Sequence, residues 1–136
     1  MAIFETIIIM RKATRHIPVV LVALLIMVLS LSDPGESSRS LFWNFKNADK
    51  IVHLLMYFGF ALTVFWFYRR SAVKMSVLVI QAFSVVLYGV LMEILQSSVT
   101  TTRGFEFFDI LANFSGVLPA LALFLIYSKY QQKTST

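Results

Sequence analysis

The stretch that decides the fold is DKIVHLLMYFGFALTVFWFY, residues 49–68. From Ile51 to Tyr68 it is almost continuously apolar. At ~1.5 Å per residue that length can cross a hydrocarbon core of ~30 Å. Its ionisable residues, Asp49, Lys50 and His53, are confined to the beginning, with Tyr57 one turn further on. An ionisable group at the edge of hydrocarbon must find a partner or water, so the segment reads as a membrane helix with a polar end.

Three further apolar blocks flank this one, from Ile17 to Leu31, from Met75 to about Leu95 and from Phe107 to Tyr127. The 136 residues are 58% hydrophobic and 14% charged. Ordinary soluble domains run at roughly 45–50% and about 25%, and here the charges cluster between the apolar blocks. The pattern predicts one all-α domain over residues 1–136, a polytopic helix bundle of about four transmembrane helices near 17–31, 51–68, 75–95 and 107–127. No room is left for a separate soluble catalytic domain, so function belongs to the bundle or its loops.

The first block is the shortest and would need Arg15 and His16 to snorkel. Its basic start, short apolar core and Ser30-Leu31-Ser32 also fit a cleavable signal peptide. Against cleavage, the largely apolar stretch from Met1 to Met10 precedes the charges and displaces the usual basic start, which favours a retained span preceded by an interfacial segment. Eight lysines and arginines fall on one side of the four spans and four on the other. The positive-inside rule then places both termini in the cytoplasm and residues 32–50 and 97–106 outside. The outer loop holds the turn signal Asp33-Pro34-Gly35, then Leu41, Phe42, Trp43 and Phe45, an aromatic cluster suited to the headgroup level.

The net charge of +5 does not indicate nucleic acid, because there is no long basic run and the basic residues flank apolar segments, where they orient the chain and meet anionic lipid. The chain has no cysteine, which removes disulfides, thiolate metal sites and a cysteine nucleophile. No zinc-protease, phosphate-loop, nucleophile-elbow or dinucleotide pattern occurs, and no cofactor is expected. A transition metal would have to rely on His53 and carboxylates, so no metal site is expected either. Ser97 and Ser98 lack the spacing of a nucleophile.

The polar residues instead converge by helical spacing. Asp49, His53 and Tyr57 stack at i, i+4 and i+8, Glu93 and Gln96 at i and i+3, and Asp109, Asn113 and Gly116 at i, i+4 and i+7, with Arg103 in the turn between the last two spans. All would meet at the outer end of the bundle. Each has a plainer explanation. Asp49 could cap a helix and Lys50 snorkel, and Tyr57 could be a packing aromatic. Asn113 and Gly116 could serve a close helix contact and an interhelical hydrogen bond. Glu106 and Lys46 look like solvated loop charges. Glu93 is surrounded by apolar neighbours and needs Arg103, His53 or water. The spacing predicts that Asp49 fixes the His53 tautomer and that Glu93, Arg103 and His53 lie close together.

DKIVHLLMY at residues 49–57, EILQ at 93–96, Arg103 and DILANFSG at 109–116 together resemble the VanZ-like family of small bacterial integral membrane proteins, over about residues 45–120. The resemblance implies a multi-helix protein of the bacterial cytoplasmic (inner) membrane. The family is named for a member associated with resistance to the glycopeptide teicoplanin, and its general biochemical activity is not established. Its recurring polar pattern maps onto Asp49, Lys50, His53, Tyr57, Glu93, Gln96, Arg103, Asp109, Asn113 and Gly116. The turn Arg103-Gly104-Phe105-Glu106-Phe107-Phe108 departs from the more usual arginine followed by small polar residues.

Three functional classes follow. The favoured one is an envelope protein that binds membrane lipid, a lipid-linked or cell-wall-related ligand, or a membrane partner through the outward polar site, Asp49, Lys50, His53, Tyr57, Glu93, Gln96, Arg103, Asp109 and Asn113 being the ligand-binding candidates. The second is a small intramembrane enzyme acting on a lipid headgroup, with His53 as general acid or base oriented by Asp49, Glu93 as the second acid–base group and Arg103 stabilising negative charge. The third is a scaffold or transporter subunit in which the polar cluster only fixes helix packing.

Overall fold

A computed structural model describes residues 14, 16–32, 48–69, 74–100 and 104–134. Four α-helices follow one another among the described residues: α1 His16–Leu31, α2 Ala48–Phe67, α3 Met75–Val99 and α4 Phe107–Thr134. No strand occurs among the described residues. The helices α2, α3 and α4 are long and apolar enough to cross a membrane, while α1, with 16 residues, is shorter. Its rise is roughly 24 Å against a ~30 Å hydrocarbon core. All four expected segments are therefore helical, but only three of them are long and apolar enough to span. Helix α2 starts at Ala48, which puts Asp49 inside its first turn, not at a cap. There the carboxylate complements the positive end of the helix dipole. Helix α3 continues to Val99, where Ser97 and Ser98 donate to the Ile94 carbonyl and Thr100 closes the end through bonds to the Gln96 carbonyl.

Most of the helical surface is apolar. Leu87, Leu91 and Ile94 on α3, and Leu111, Leu118 and Ile126 on α4, are exposed, as expected where hydrocarbon and not water is the solvent. The core is narrow and follows helical spacing: Tyr57, Ala61, Val64 and Phe65 on α2 face Val117, Ala120 and Phe124 on α4 and Val85 and Met92 on α3. Helices α2 and α4 share the most extensive interface. Gly116 makes it possible. A Cβ there would strike the Leu54 carbonyl oxygen and lie 2.9 Å from the Phe58 nitrogen, so only glycine lets the two backbones approach this closely. Helix α1 packs through Ile26 and accepts a hydrogen bond from the Tyr88 hydroxyl at the Ala23 carbonyl, at 2.6 Å.

Side-chain contacts establish which helix ends are neighbours. His16 at the start of α1 meets the Tyr68 hydroxyl just past α2, Nδ1 to Oη 2.7 Å, and Trp66 meets Tyr127 with ring centroids 5.1 Å apart. The start of α2, the end of α3 and the start of α4 consequently gather at the other end. That end carries the polar residues.

Candidate functional site

Lys50, in the first turn of α2, is the centre of the polar end. Its ammonium donates to Asp49 Oδ2 at 2.6 Å, Glu106 Oε2 at 2.6 Å and Asp109 Oδ1 at 2.7 Å. The side chain is only 22% exposed and that of Asp109 9%. One ammonium with three hydrogens thus meets three carboxylates contributed by α2, by the segment leading into α4 and by α4 itself. The arrangement corrects two expectations: Lys50 does not snorkel outward, and Glu106 is not a merely solvated loop charge. The spacing of Glu106, three residues from Asp109, was the available signal.

Oxygens of Asp49, Glu106 and Asp109 all lie within 4.8 Å of one another, a spacing that could hold a metal ion. Oxygen-only ligands of this kind suit a hard divalent cation. Lys50 already delivers a positive charge to the same three oxygens, so the chain supplies its own cation.

Beneath this surface group the polar residues are buried. His53 is 6% exposed, and its Nδ1 lies 3.1 Å from Asn113 Oδ1. An amide oxygen only accepts, so Nδ1 carries the hydrogen and donates. The other ring nitrogen faces Asp109 Oδ2 at 3.8 Å, outside hydrogen-bonding distance. The expected orientation of His53 by Asp49 is therefore corrected: Asp49 turns to Lys50, and α4 holds the imidazole through Asn113, with Asp109 facing the other ring nitrogen. Two side chains one turn apart on a helix can meet, but here partners on the neighbouring helix win. Asn113 makes the interhelical bond and Gly116 the close contact expected of them.

Glu93, 2% exposed, accepts the backbone N–H of Glu106 at Oε1, at 2.8 Å. That N–H belongs to the residue immediately before α4, so the carboxylate ties the end of α3 to the start of α4 and lies where the helix dipole favours negative charge. The expected partner Arg103 lies outside the described residues, as does the aromatic loop from Leu41 to Phe45. Gly89, one turn below Glu93, went unnoticed in the sequence. A Cβ there would be 3.0 Å from both Asn113 Nδ2 and Tyr57 Cε1, so the glycine makes room for the polar layer to cross between helices.

Among the described residues, Ser30 Oγ, Tyr57 Oη, Gln81 Oε1 and Gln96 Nε2 are buried without a hydrogen-bond partner. Leaving such a group unsatisfied costs roughly 1–3 kcal/mol, so native structures contain few of them. Three of the four lie in the polar half of the bundle. Around the same end, Val99, Phe105, Phe107 and Phe108 are exposed, with phenylalanine exposures of 53 to 68%. An acidic, hydrogen-bonding centre is thus bordered by an apolar collar.

Over 84 residues the chain is 36% identical to an uncharacterized protein of Schizosaccharomyces pombe, a match covering 60% of this chain and 49% of that protein. The chain spans about half the length of this relative. No family model matches, and no solved structure does.

Proposed function

We propose that this chain is a VanZ-like membrane protein whose polar bundle end binds the headgroup of an amphiphile while the apolar collar and lipid-facing helices take its tail. The observation that carries this reading is the unsatisfied buried donors of Tyr57 and Gln96 beside the buried acceptors of Glu93 and Asp109, with exposed phenylalanines at the same end. A pure scaffold would gain stability by replacing such donors with apolar groups of the same shape. A binding site keeps them for its ligand.

The VanZ-like reading rests on the ordered polar blocks at residues 49–57, 93–96 and 109–116, and with it comes a seat in the bacterial cytoplasmic membrane and a link to the cell envelope and glycopeptide response. Orientation rests on the basic flanks, which put both termini inside and the polar end outside. Cysteines introduced at Ser37 and Ser128 should label oppositely with an impermeant reagent, Ser37 alone from outside. Equal external labelling of both would reverse the topology.

The enzyme reading draws less support, because Asn113 and Asp109 face both nitrogens of His53. The deciding experiment is mass spectrometry of lipid that copurifies with the full-length protein. Wild type should retain an amphiphile that Glu93→Gln, folded by circular dichroism, loses. Identical lipid profiles for the two proteins would end the binding proposal, and conversion of the retained lipid on incubation would establish the enzyme instead.

A further inference from the structure

The orphaned donors also specify what kind of headgroup fits. Tyr57 is fully buried and Gln96 is 2% exposed. Side chains tilt toward the N-terminus of their own helix, and α2 and α3 run in opposite directions, so Tyr57 leans up toward the polar end while Gln96 leans down from it. Glu93 stands between them, one turn from Gln96 on the same face of α3 and one turn from Gly89, against which the Tyr57 ring packs. Ser30, the third unsatisfied group of this half, belongs to α1. The pairing of Tyr88 with Ala23 sets the register of α1 against α3, and seven residues beyond Ala23 and eight beyond Tyr88 bring Ser30 level with Gln96.

Three ligand chemistries can be weighed against this set. An anionic headgroup would meet Glu93, Glu106 and Asp109, which repel it. An ammonium group would satisfy those carboxylates but could accept nothing from the Gln96 amide or the Tyr57 hydroxyl, and Lys50 already supplies that charge to three of the acids. A hydroxyl both accepts and donates. It can take the hydrogens of Tyr57 and Gln96 and give its own to Glu93.

We propose that the buried layer formed by Ser30, Tyr57, Glu93 and Gln96 binds the hydroxyls of an uncharged polyol headgroup, glycosyl or glycerol in type, presented by a membrane lipid. The donors fix the ligand oxygens and the carboxylate fixes their hydrogens. Helix α1 closes the site on one side. This inference rests on the amphiphile-binding reading above and narrows it to one ligand class.

The test reconstitutes the full chain into phosphatidylcholine bilayer discs containing glucosyl diacylglycerol, phosphatidylglycerol or plain diacylglycerol, and reads retained lipid by native mass spectrometry together with the melting temperature, since a ligand bound only to the folded state raises it. Glucosyl diacylglycerol should be retained at least about tenfold over the other two, the scale of one or two good hydrogen bonds. Tyr57→Phe and Gln96→Leu should each abolish that preference without lowering the melting temperature in phosphatidylcholine alone, because each removes an unsatisfied group. Preference unchanged in both variants overturns the proposal. Retention of phosphatidylglycerol or diacylglycerol equal to that of the glycolipid, yet lost in Glu93→Gln, overturns the uncharged polyol as the ligand class and leaves amphiphile binding standing. No lipid distinguishing wild type from Glu93→Gln removes both. Free glucose matching the effect of the glycolipid keeps the hydroxyl chemistry and overturns the lipid as its source.

Discussion

The two ends of the bundle solve the same problem differently. At the end built from the start of α1 and the end of α2, two exposed polar side chains sit against aromatics: the Arg69 guanidinium lies 3.9 Å from the Trp66 ring centroid, and His16 stacks obliquely on Tyr68 with centroids 5.2 Å apart. Such contacts anchor helix ends at an interface and demand little of the rest of the fold. At the opposite end, Lys50, Asp109, His53, Asn113 and Glu93 bond across helices, and several are almost fully buried. There each group depends on the register of two or three helices. The difference teaches that charge at a membrane helix end is not one phenomenon: it is an anchor where it meets water and lipid, and a specification of tertiary structure where it meets other helices.

The comparison predicts a steep gradient of mutational cost. The largest effect belongs to Gly116→Ala, which forces α4 away from the Leu54 carbonyl and so pulls apart the whole polar layer. Because backbone and not a flexible side chain must yield, the loss should be about 3 kcal/mol, at the upper end of overpacking costs. Unfolding of the variant in mixed micelles would measure it, and wild-type stability would mean that the α2–α4 approach is looser than described.

Lys50→Met comes next. Removing one partner of a buried ion pair costs about 3–5 kcal/mol, and the partial exposure of Asp49 and Glu106 reduces that here to about 2 kcal/mol. Adding Asp109→Asn should recover part of the loss, since one uncompensated carboxylate disappears. A double-mutant cycle with no coupling between the two positions would show that Lys50 acts as an anchor like Arg69 and erase the contrast between the ends. Asn113→Leu should cost about 1–2 kcal/mol by leaving the buried His53 nitrogen unpaired, and Asn113→Asp, which keeps the acceptor but buries a second carboxylate one turn from Asp109, should lower the melting temperature at least as much. The smallest effect is expected for Arg69→Ala, about 0.5 kcal/mol, the scale of an exposed cation–π contact. A loss as large as that of Lys50→Met would make the two ends equivalent.

Much of this polar end was legible in the sequence, and the reason is spacing. Residues three, four and seven apart on a helix share a face, so the sequence places Asp49 with His53, Glu93 with Gln96, and Asp109 with Asn113 and Gly116 whatever the neighbours do. Partner choice was not legible. Asp49 and Asp109 lie equally close to a polar helix start in sequence, yet it is Asp109 that faces the imidazole and Asp49 that turns to Lys50. Glu93 was expected to need Arg103, His53 or water, and in the fold a backbone N–H at the start of α4 serves it. Glu106 offered only its spacing of three residues from Asp109, and Gly89 had no mark within its own segment, because it acts through space left for a different helix.

By itself, then, the sequence determined that the chain is helical, that three of its helices are long and apolar enough to cross a membrane, and that its ionisable groups lie at segment ends. These follow from local quantities: apolar length, the cost of charge in hydrocarbon and the 3.6-residue period. Only the tertiary structure decided that Lys50 gathers three carboxylates, that Asn113 and not Asp49 holds His53, and that Tyr57 and Gln96 keep hydrogens to give. Hydrogen bonds and ion pairs are set within a few tenths of an ångström by how far one helix slides and turns against another, and that depends on where Gly116 lets two backbones meet, which no single helix encodes.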